Sequence, residues 1–338
     1  MNAYAYAWDT YNSNPIVWQN GQATLAINTV SFSPGGALDT QLRTAIDTWN
    51  NVGGAGFHYY TTTSSASTVT LGDGRSDVYF CNNCTDPGAL AETWTRWELY
   101  SYVYNWAIHW RKRIIEADVA FDMRAPYTWT TYLSTSSNYS DTVIEFLGVA
   151  IHELGHALGL KHEDRWLATM NSGAPNGGMV GNTTTWIPLA DDRQGARYLY
   201  GNGASEVDAA PMQLRDAGTA SNGWRLAAPQ FVSPTTISRG GVATVSYTFS
   251  NLGTSRIAFD DCWYLTGGPS GTVQIYYGTG AWADPGSVGN YTRQLTVPTW
   301  IAAGNYRFKY RVDCSNANVE SYEGPQNEFT IVPWVSIQ

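Results

Sequence analysis

Residues 150–162 read A-I-H-E-L-G-H-A-L-G-L-K-H. On a helix, positions i and i+4 share one face, so His152 and His156 can aim imidazole nitrogens at a single metal ion. Glu153 stands beside the first ligand, where its carboxylate reaches a metal-bound water without ligating. A third ligand six residues after His156 cannot lie on the same straight helix. Gly159 supplies the turn, because glycine accepts the positive φ that a sharp reversal needs. His162 then approaches from the other side. Three nitrogen ligands leave one position open, which is the mark of a catalytic metal site as opposed to a closed structural one.

The competing reading is a helix face with histidines in ordinary polar contacts. Glycine and a third histidine at fixed offsets argue against it, as does the concentration of three of the chain's five histidines in one motif.

Composition frames the rest. At 338 residues with 43% hydrophobic content, the chain suits two modest domains with a core in each. Charged residues make up only 14% and the net charge is −9, against the basic footprint that nucleic acid requires. Arg111-Lys112-Arg113 is an isolated cluster and reads as a solvated turn. No apolar stretch approaches a membrane span. The first twenty residues carry Asp9 and several Asn where a signal peptide needs basic and apolar regions, so an export signal is expected to have been removed. Four cysteines suggest two disulfides, a local Cys81–Cys84 clasp and a Cys262–Cys314 bridge between strands, in keeping with an oxidising, extracellular location.

The sequence changes texture near residue 201. Before it, Leu38, Leu42, Ala45, Ile46 and Trp49 recur at helical spacing from Ala37 up to Gly53-Gly54. A second helix is expected from Ser140 or Asp141 to Leu158, and a third from Leu189 to Tyr200. Tyr4 to Ile27 reads as extended, and 57–63, 68–71, 78–80 and 114–121 read as strands. Residues 202–228 look like a linker. Beyond Pro229, alternating stretches such as Val242 to Phe249 and Tyr306 to Val312, separated by turns, point to an antiparallel sandwich. The expected fold class is α+β followed by all-β.

The zinc motif resembles that of the metzincins, and its surroundings look most like the matrixin branch. Arg43 to Tyr59 is similar to the first matrixin helix and following strand. Gly88 to Thr93 is similar to the edge strand bordering the cleft, Glu116 to Asp122 to the next strand, and Leu189 to Gly201 to the closing helix. Ser172, two residues after Met170, sets the chain apart from serralysins and astacins. The resemblance implies a catalytic domain over 1–201, built as a twisted mixed sheet with three helices. It implies one catalytic Zn2+ on His152, His156 and His162, Glu153 as general base and acid, and Met170 as the Met-turn residue. It also implies protein or peptide substrates, bound extended along Ala89, Leu90 and Ala91. Where matrixins carry a histidine for a second zinc, this chain has Glu92. Asp73, Asp77, Asp118 and Asp122 are candidate Ca2+ ligands, with capped turns the equal alternative. His58 and His109 read as strand-packing residues; the fifteen tryptophans suggest aromatic surfaces for carbohydrate, with core packing an equal reading for Trp49, Trp94 and Trp97.

Residues 229–338 resemble bacterial immunoglobulin-like modules of the cell-adhesion-related (CARDB) type, on the approach Pro234 to Gly241 and the strand ending in Asn251-Leu-Gly253. Such modules act as spacers or adhesion units, so a surface or matrix ligand is the implied partner. A secreted zinc endopeptidase is therefore expected. The alternative is a binding protein whose peptidase domain is vestigial.

Overall fold

The computed structural model describes residues 7–124, 128–131, 143–162, 169–170, 187–188, 190–201, 209–210, 231–251, 253, 255–284, 288–315, 328–331 and 334–338. The chain divides into two compact units, with the change near residue 204. The first holds β1 (Ala7–Trp8), β2 (Thr10–Tyr11), β3 (Asn14–Pro15), β4 (Val17–Trp18), β5 (Gln22–Asn28), α1 (Ala37–Asn50), β6 (His58–Ser64) and β7 (Ser76–Cys81). It continues with β8 (Ala91–Tyr104), β9 (Ala107–Asp122), β10 (Thr128–Thr130), β11 (Val143–Glu145), α2 (Phe146–Leu158), β12 (Leu160–Lys161) and α3 (Ala190–Tyr200).

Its main sheet runs β4-β9-β7-β5-β6 with every pairing parallel, and β8 lies antiparallel on β9. An antiparallel edge on an otherwise parallel sheet is a common arrangement. α1 buries Leu42, Ala45, Ile46 and Trp49, as its spacing requires, and its Asp39 carboxylate accepts from the Gly35 amide at 2.9 Å.

α2 is apolar on nearly all sides and lies buried among β-strand and helix neighbours. Four aromatic donors reach its carbonyls. Trp49 donates to Ile151, Tyr59 to Leu154, Trp18 to Ala157 and Tyr200 to Leu158. The helix is thus suspended by specific bonds as well as by packing, and part of the chain's aromatic richness is spent there. Burial lifts the Tyr59 hydroxyl well above the usual tyrosine range, so it remains a donor.

Several expectations need correction. α2 begins at Phe146, because Val143–Glu145 pairs parallel with Thr128–Thr130 and keeps that stretch extended. Ser140 and Asp141 lie outside the described residues. Residues 68–71 form no strand; the backbone there turns so that the Gly72 and Gly74 amides donate to the Glu116 carboxylate. Arg111, Lys112 and Arg113 lie inside β9 and not in a turn. Trp97 is 46% exposed, with the Lys112 ammonium 3.0 Å from its ring centre, and so is not core.

The second unit is all-β: β13 (Ala209–Ala210), β14 (Phe231–Ser233), β15 (Thr236–Ile237), β16 (Val242–Asn251), β17 (Ile257–Gly268), β18 (Gly271–Ala283), β19 (Val288–Thr296), β20 (Gly304–Val312), β21 (Glu328–Thr330) and β22 (Val335–Ile337). One sheet gathers β13, β16, β14 and β19; the other runs β15-β22-β20-β17-β18, with β21 on β20. Trp263, Tyr306, Phe308 and Tyr310 anchor its core. Within the segment read as a linker, Ala209–Ala210 pairs with the end of β16. Disulfides join Cys81 to Cys84 and Cys262 to Cys314.

Candidate metal centre

α2 carries His152 and His156 one turn apart, and Gly159 ends the helix in a left-handed conformation at φ 115°. A Cβ there would meet the Ile114 side chain at 3.3 Å and the Ile16 carbonyl oxygen at 3.5 Å. Conformation and space both favour glycine. The chain then runs through β12, which pairs antiparallel with β1, and delivers His162 to the other two histidines.

The three Nε2 atoms converge. His152 and His156 are 3.1 Å apart, His156 and His162 3.1 Å, and His152 and His162 3.2 Å. The opposite nitrogens of two rings are tied back: His152 Nδ1 lies 2.7 Å from the Thr169 carbonyl and His156 Nδ1 2.8 Å from that of Leu160. A carbonyl only accepts, so each Nδ1 carries the proton and each Nε2 presents a lone pair. Burial, reinforced by the charge of its histidine neighbours, holds His156 well below the usual imidazole range and keeps it neutral. Neutral imidazole donors facing one point fit a borderline-soft cation such as zinc. Among the described residues, this is the one group of three His, Cys, Asp or Glu side chains placed to share an ion.

Glu153 is buried. Its Oε2 accepts from the Thr93 hydroxyl at 2.7 Å, and its backbone carbonyl accepts from the same hydroxyl at 3.1 Å. Burial pushes the carboxyl up to about 7, the Thr93 bond pulls it down, and the Glu92 charge raises it. Thr93 belongs to β8, the strand beside α2.

Met170 is buried, and its sulfur occupies space that a side chain at 155 would need. A Cβ on Gly155 would stand 2.3 Å from Met170 Sδ and 3.0 Å from Trp49 Cζ2. Asp192 of α3 holds this corner from below, its Oδ2 accepting from the Thr169 amide at 2.7 Å and its Oδ1 from the Met170 amide at 3.1 Å.

Sequence reasoning missed Thr93, Asp192 and Gly155 as site-builders. Asp192 had a visible signal as a carboxylate in the first turn of α3, but its target lies 22 residues away. Ala89 turns back to Asp86, the Leu90 carbonyl accepts from the Asp122 amide, and Ala91 opens β8. Along β8 the edge away from β9 has no strand partner among the described residues.

The four candidate calcium ligands do not form one group placed to share an ion among the described residues. Asp73 accepts from the Arg75 amide, and Asp77 pairs with the Arg75 guanidinium at 2.8 Å. Asp118 accepts from the Asp77 amide, while Asp122 is held by Arg124 and Thr85. His58 lies edge-on to Tyr60, and His109 stacks on Tyr102 far along the hairpin.

Comparison with known proteins follows this geometry. Mouse matrix metalloproteinase-25 is 38% identical over 104 residues, which are 29% of this chain and 14% of that protein's length. The CARDB domain of a Pyrococcus furiosus protein aligns with 32% of this chain and 89% of its own, at 22% identity and a TM-score of 0.24. A Geobacter metallireducens protein aligns with 32% of this chain and 91% of its own, at 23% identity and a TM-score of 0.22. The family model described as matrixin matches residues 17–201, more than half of the chain. The protein belongs to the matrixin family.

Proposed function

We propose that this chain is a secreted zinc endopeptidase, with residues 1–201 as a metzincin catalytic domain, 202–228 as a linker and 229–338 as a CARDB-like immunoglobulin module that engages a surface or matrix ligand. One observation carries the reading: three imidazoles, two of them tautomer-fixed, meet at one point beside a buried carboxylate whose position is set by a hydroxyl.

Zinc held by His152, His156 and His162 supplies Lewis acidity that lowers the pKa of water and steadies negative charge on the scissile carbonyl oxygen. Glu153 takes the proton from the attacking water as the new C–O bond forms, and returns a proton to the amide nitrogen as the C–N bond breaks. The Thr93 hydroxyl keeps Glu153 Oε2 in one rotamer, so that no orientational entropy is spent at that step. The substrate adds as an extended strand along the free edge near Ala89, Leu90 and Ala91. Met170, seated on Gly155, supports the ligand helix without ligating.

Purified protein is expected to cleave a denatured protein, to stop when a chelator removes the metal, and to recover with zinc. Glu153→Ala should retain zinc and lose hydrolysis. Hydrolysis surviving both treatments would overturn the reading. Tight surface binding without any hydrolysis by the zinc-loaded protein would favour the adhesion alternative.

A further inference from the structure

The outer half of the β8–β9 hairpin takes no part in the metal centre. On its far side β9 is joined by β4 only at Arg113–Ile114 and by β7 only from Val119 to Asp122, so beyond Glu98 the ribbon is two-stranded among the described residues. Such a ribbon is marginal by itself, and its two faces are built differently.

One face is closed upon itself. Glu98 lies opposite Arg113, Tyr100 opposite Arg111 and Tyr102 opposite His109. Arg113 pairs with Glu98, the Arg111 guanidinium lies 4.9 Å from the Tyr102 ring centre, and His109 stacks on Tyr102 at 5.4 Å. This ladder of rings and cations stiffens the ribbon.

The other face is apolar and open. Leu99 lies opposite Lys112, Ser101 opposite Trp110 and Val103 opposite Ile108. Val103 is 72% exposed, Ile108 68% and Trp110 52%. The turn places Asn105 and Trp106 at positive φ, and Trp106 projects fully into solvent. Contiguous exposure of large apolar side chains marks a surface meant to be covered.

We infer that this arm seats in the interfacial layer of a lipid bilayer carrying anionic headgroups. The exposed apolar side chains of Val103, Trp106 and Ile108 gather at the turn end of the two-stranded ribbon, which suits insertion of a tip better than capture of a peptide along an edge. At about 3.4 Å per residue, the stretch from Trp106 back to Val103 and Ile108 reaches roughly 10 Å, the depth of interfacial burial. Arg111, Lys112 and Arg113 follow at about 17–24 Å from the tip, level with headgroups above the inserted end. Residues 97–113 carry those three cations and one carboxylate, Glu98, in a chain of net charge −9. The charge on the arm is therefore opposite to that of the whole chain and complementary to an anionic surface.

The test uses the full chain and flotation with vesicles of phosphatidylcholine, alone or mixed with phosphatidylglycerol. The protein should float with the mixed vesicles, less with the neutral ones, and less in high salt. The triple variant V103S/W106S/I108S should lose about a hundredfold in partitioning, with circular dichroism and peptide hydrolysis unchanged. R111Q/K112Q should lose roughly thirtyfold on mixed vesicles and little on neutral ones. Failure of the unaltered protein to float, or equal flotation of the triple variant, overturns the inference. So does either of two results without vesicle binding: a dimer that the triple variant dissolves, or a raised KM of that variant for a protein substrate. The first would assign the arm to a second copy and the second to a protein partner. Flotation and the oligomeric state are read independently of whether the zinc site hydrolyses peptides.

Discussion

Gly155 sits between His152 and His156, and what matters there is the side chain it lacks. Alanine at a helix interior is favoured over glycine by about 0.5–1 kcal/mol. Here the added methyl would collide with Met170 Sδ and the Trp49 ring. Overpacking of a dense core costs about 1–3 kcal/mol, so the collision wins. Gly155→Ala should therefore lower stability in urea denaturation and weaken zinc retention; a stabilised variant would disprove the contact. Thr93 is the second telling residue. Thr93→Val removes a hydroxyl that bonds the Glu153 carboxylate. Bonds to charged groups contribute about 1.5–3 kcal/mol, and even the lower figure predicts about a tenfold fall in kcat/KM. Zinc content should stay the same and Thr93→Ser should restore most of the rate. Unchanged kinetics in the valine variant would remove Thr93 from the machinery. Neither residue announces itself in sequence, because Gly155 reads as an unremarkable helix position and Thr93 as one of many strand threonines. The histidines were legible because their chemistry is tied to spacing along one short segment.

Among the elements, α1 was readable from its apolar period and its glycine stop, and β6 and β7 from their composition. The long β8–β9 hairpin was not. Its turn is Asn105-Trp106, without the glycine that usually marks a two-residue reversal, and tryptophan at positive φ runs against expectation. α2 was placed too early because residues 143–145 are drawn into a parallel pair with 128–130, a partner that local periodicity cannot reveal. β9 also carries a buried acidic cluster with a consequence for pH. Burial pushes Asp118 up to about 7, the Asp77 amide bond opposes this, and the neighbouring Glu116 and Asp77 carboxyls add to the rise. A carboxyl whose folded pKa exceeds its unfolded value, about 3.9, retains a proton on folding. Its contribution to stability is full below that unfolded value and is lost as pH rises through about 7. Asp118→Asn keeps an oxygen for the Asp77 amide and does not titrate. Urea midpoints of the variant should therefore decline less between pH 5 and pH 8 than those of the parent. An identical slope in both proteins would refute the assignment.

For the whole molecule, the division into two units has energetic content, since each possesses its own apolar core. The Cys262–Cys314 bridge spans a sequence separation of 52 in the second unit. Closing a loop of that length restrains the unfolded chain by about 4 kcal/mol in the chain-entropy account. A Cys262→Ser/Cys314→Ser protein should therefore show a lowered calorimetric transition for the second unit, while peptide hydrolysis at low temperature is unaffected. Loss of zinc or of activity in that protein would show that the two units depend on each other. The sandwich was legible as alternation and turns, but which strands share a sheet was not, because that depends on contacts between residues far apart in sequence.

β8 runs without a break in the chain from Thr93 at the metal centre to Tyr104 at the hairpin end, with one register shift at Arg96–Trp97. Strand rise sets that interval at about 36 Å. The same strand that bonds the Glu153 carboxylate is thus also a ruler. On the proposed function, the height at which a polypeptide is cut would follow from whatever holds the tip, so proteins anchored at that boundary would be trimmed at a set reach from it, and shortening the hairpin by matched pairs of residues should move the cut inward step by step.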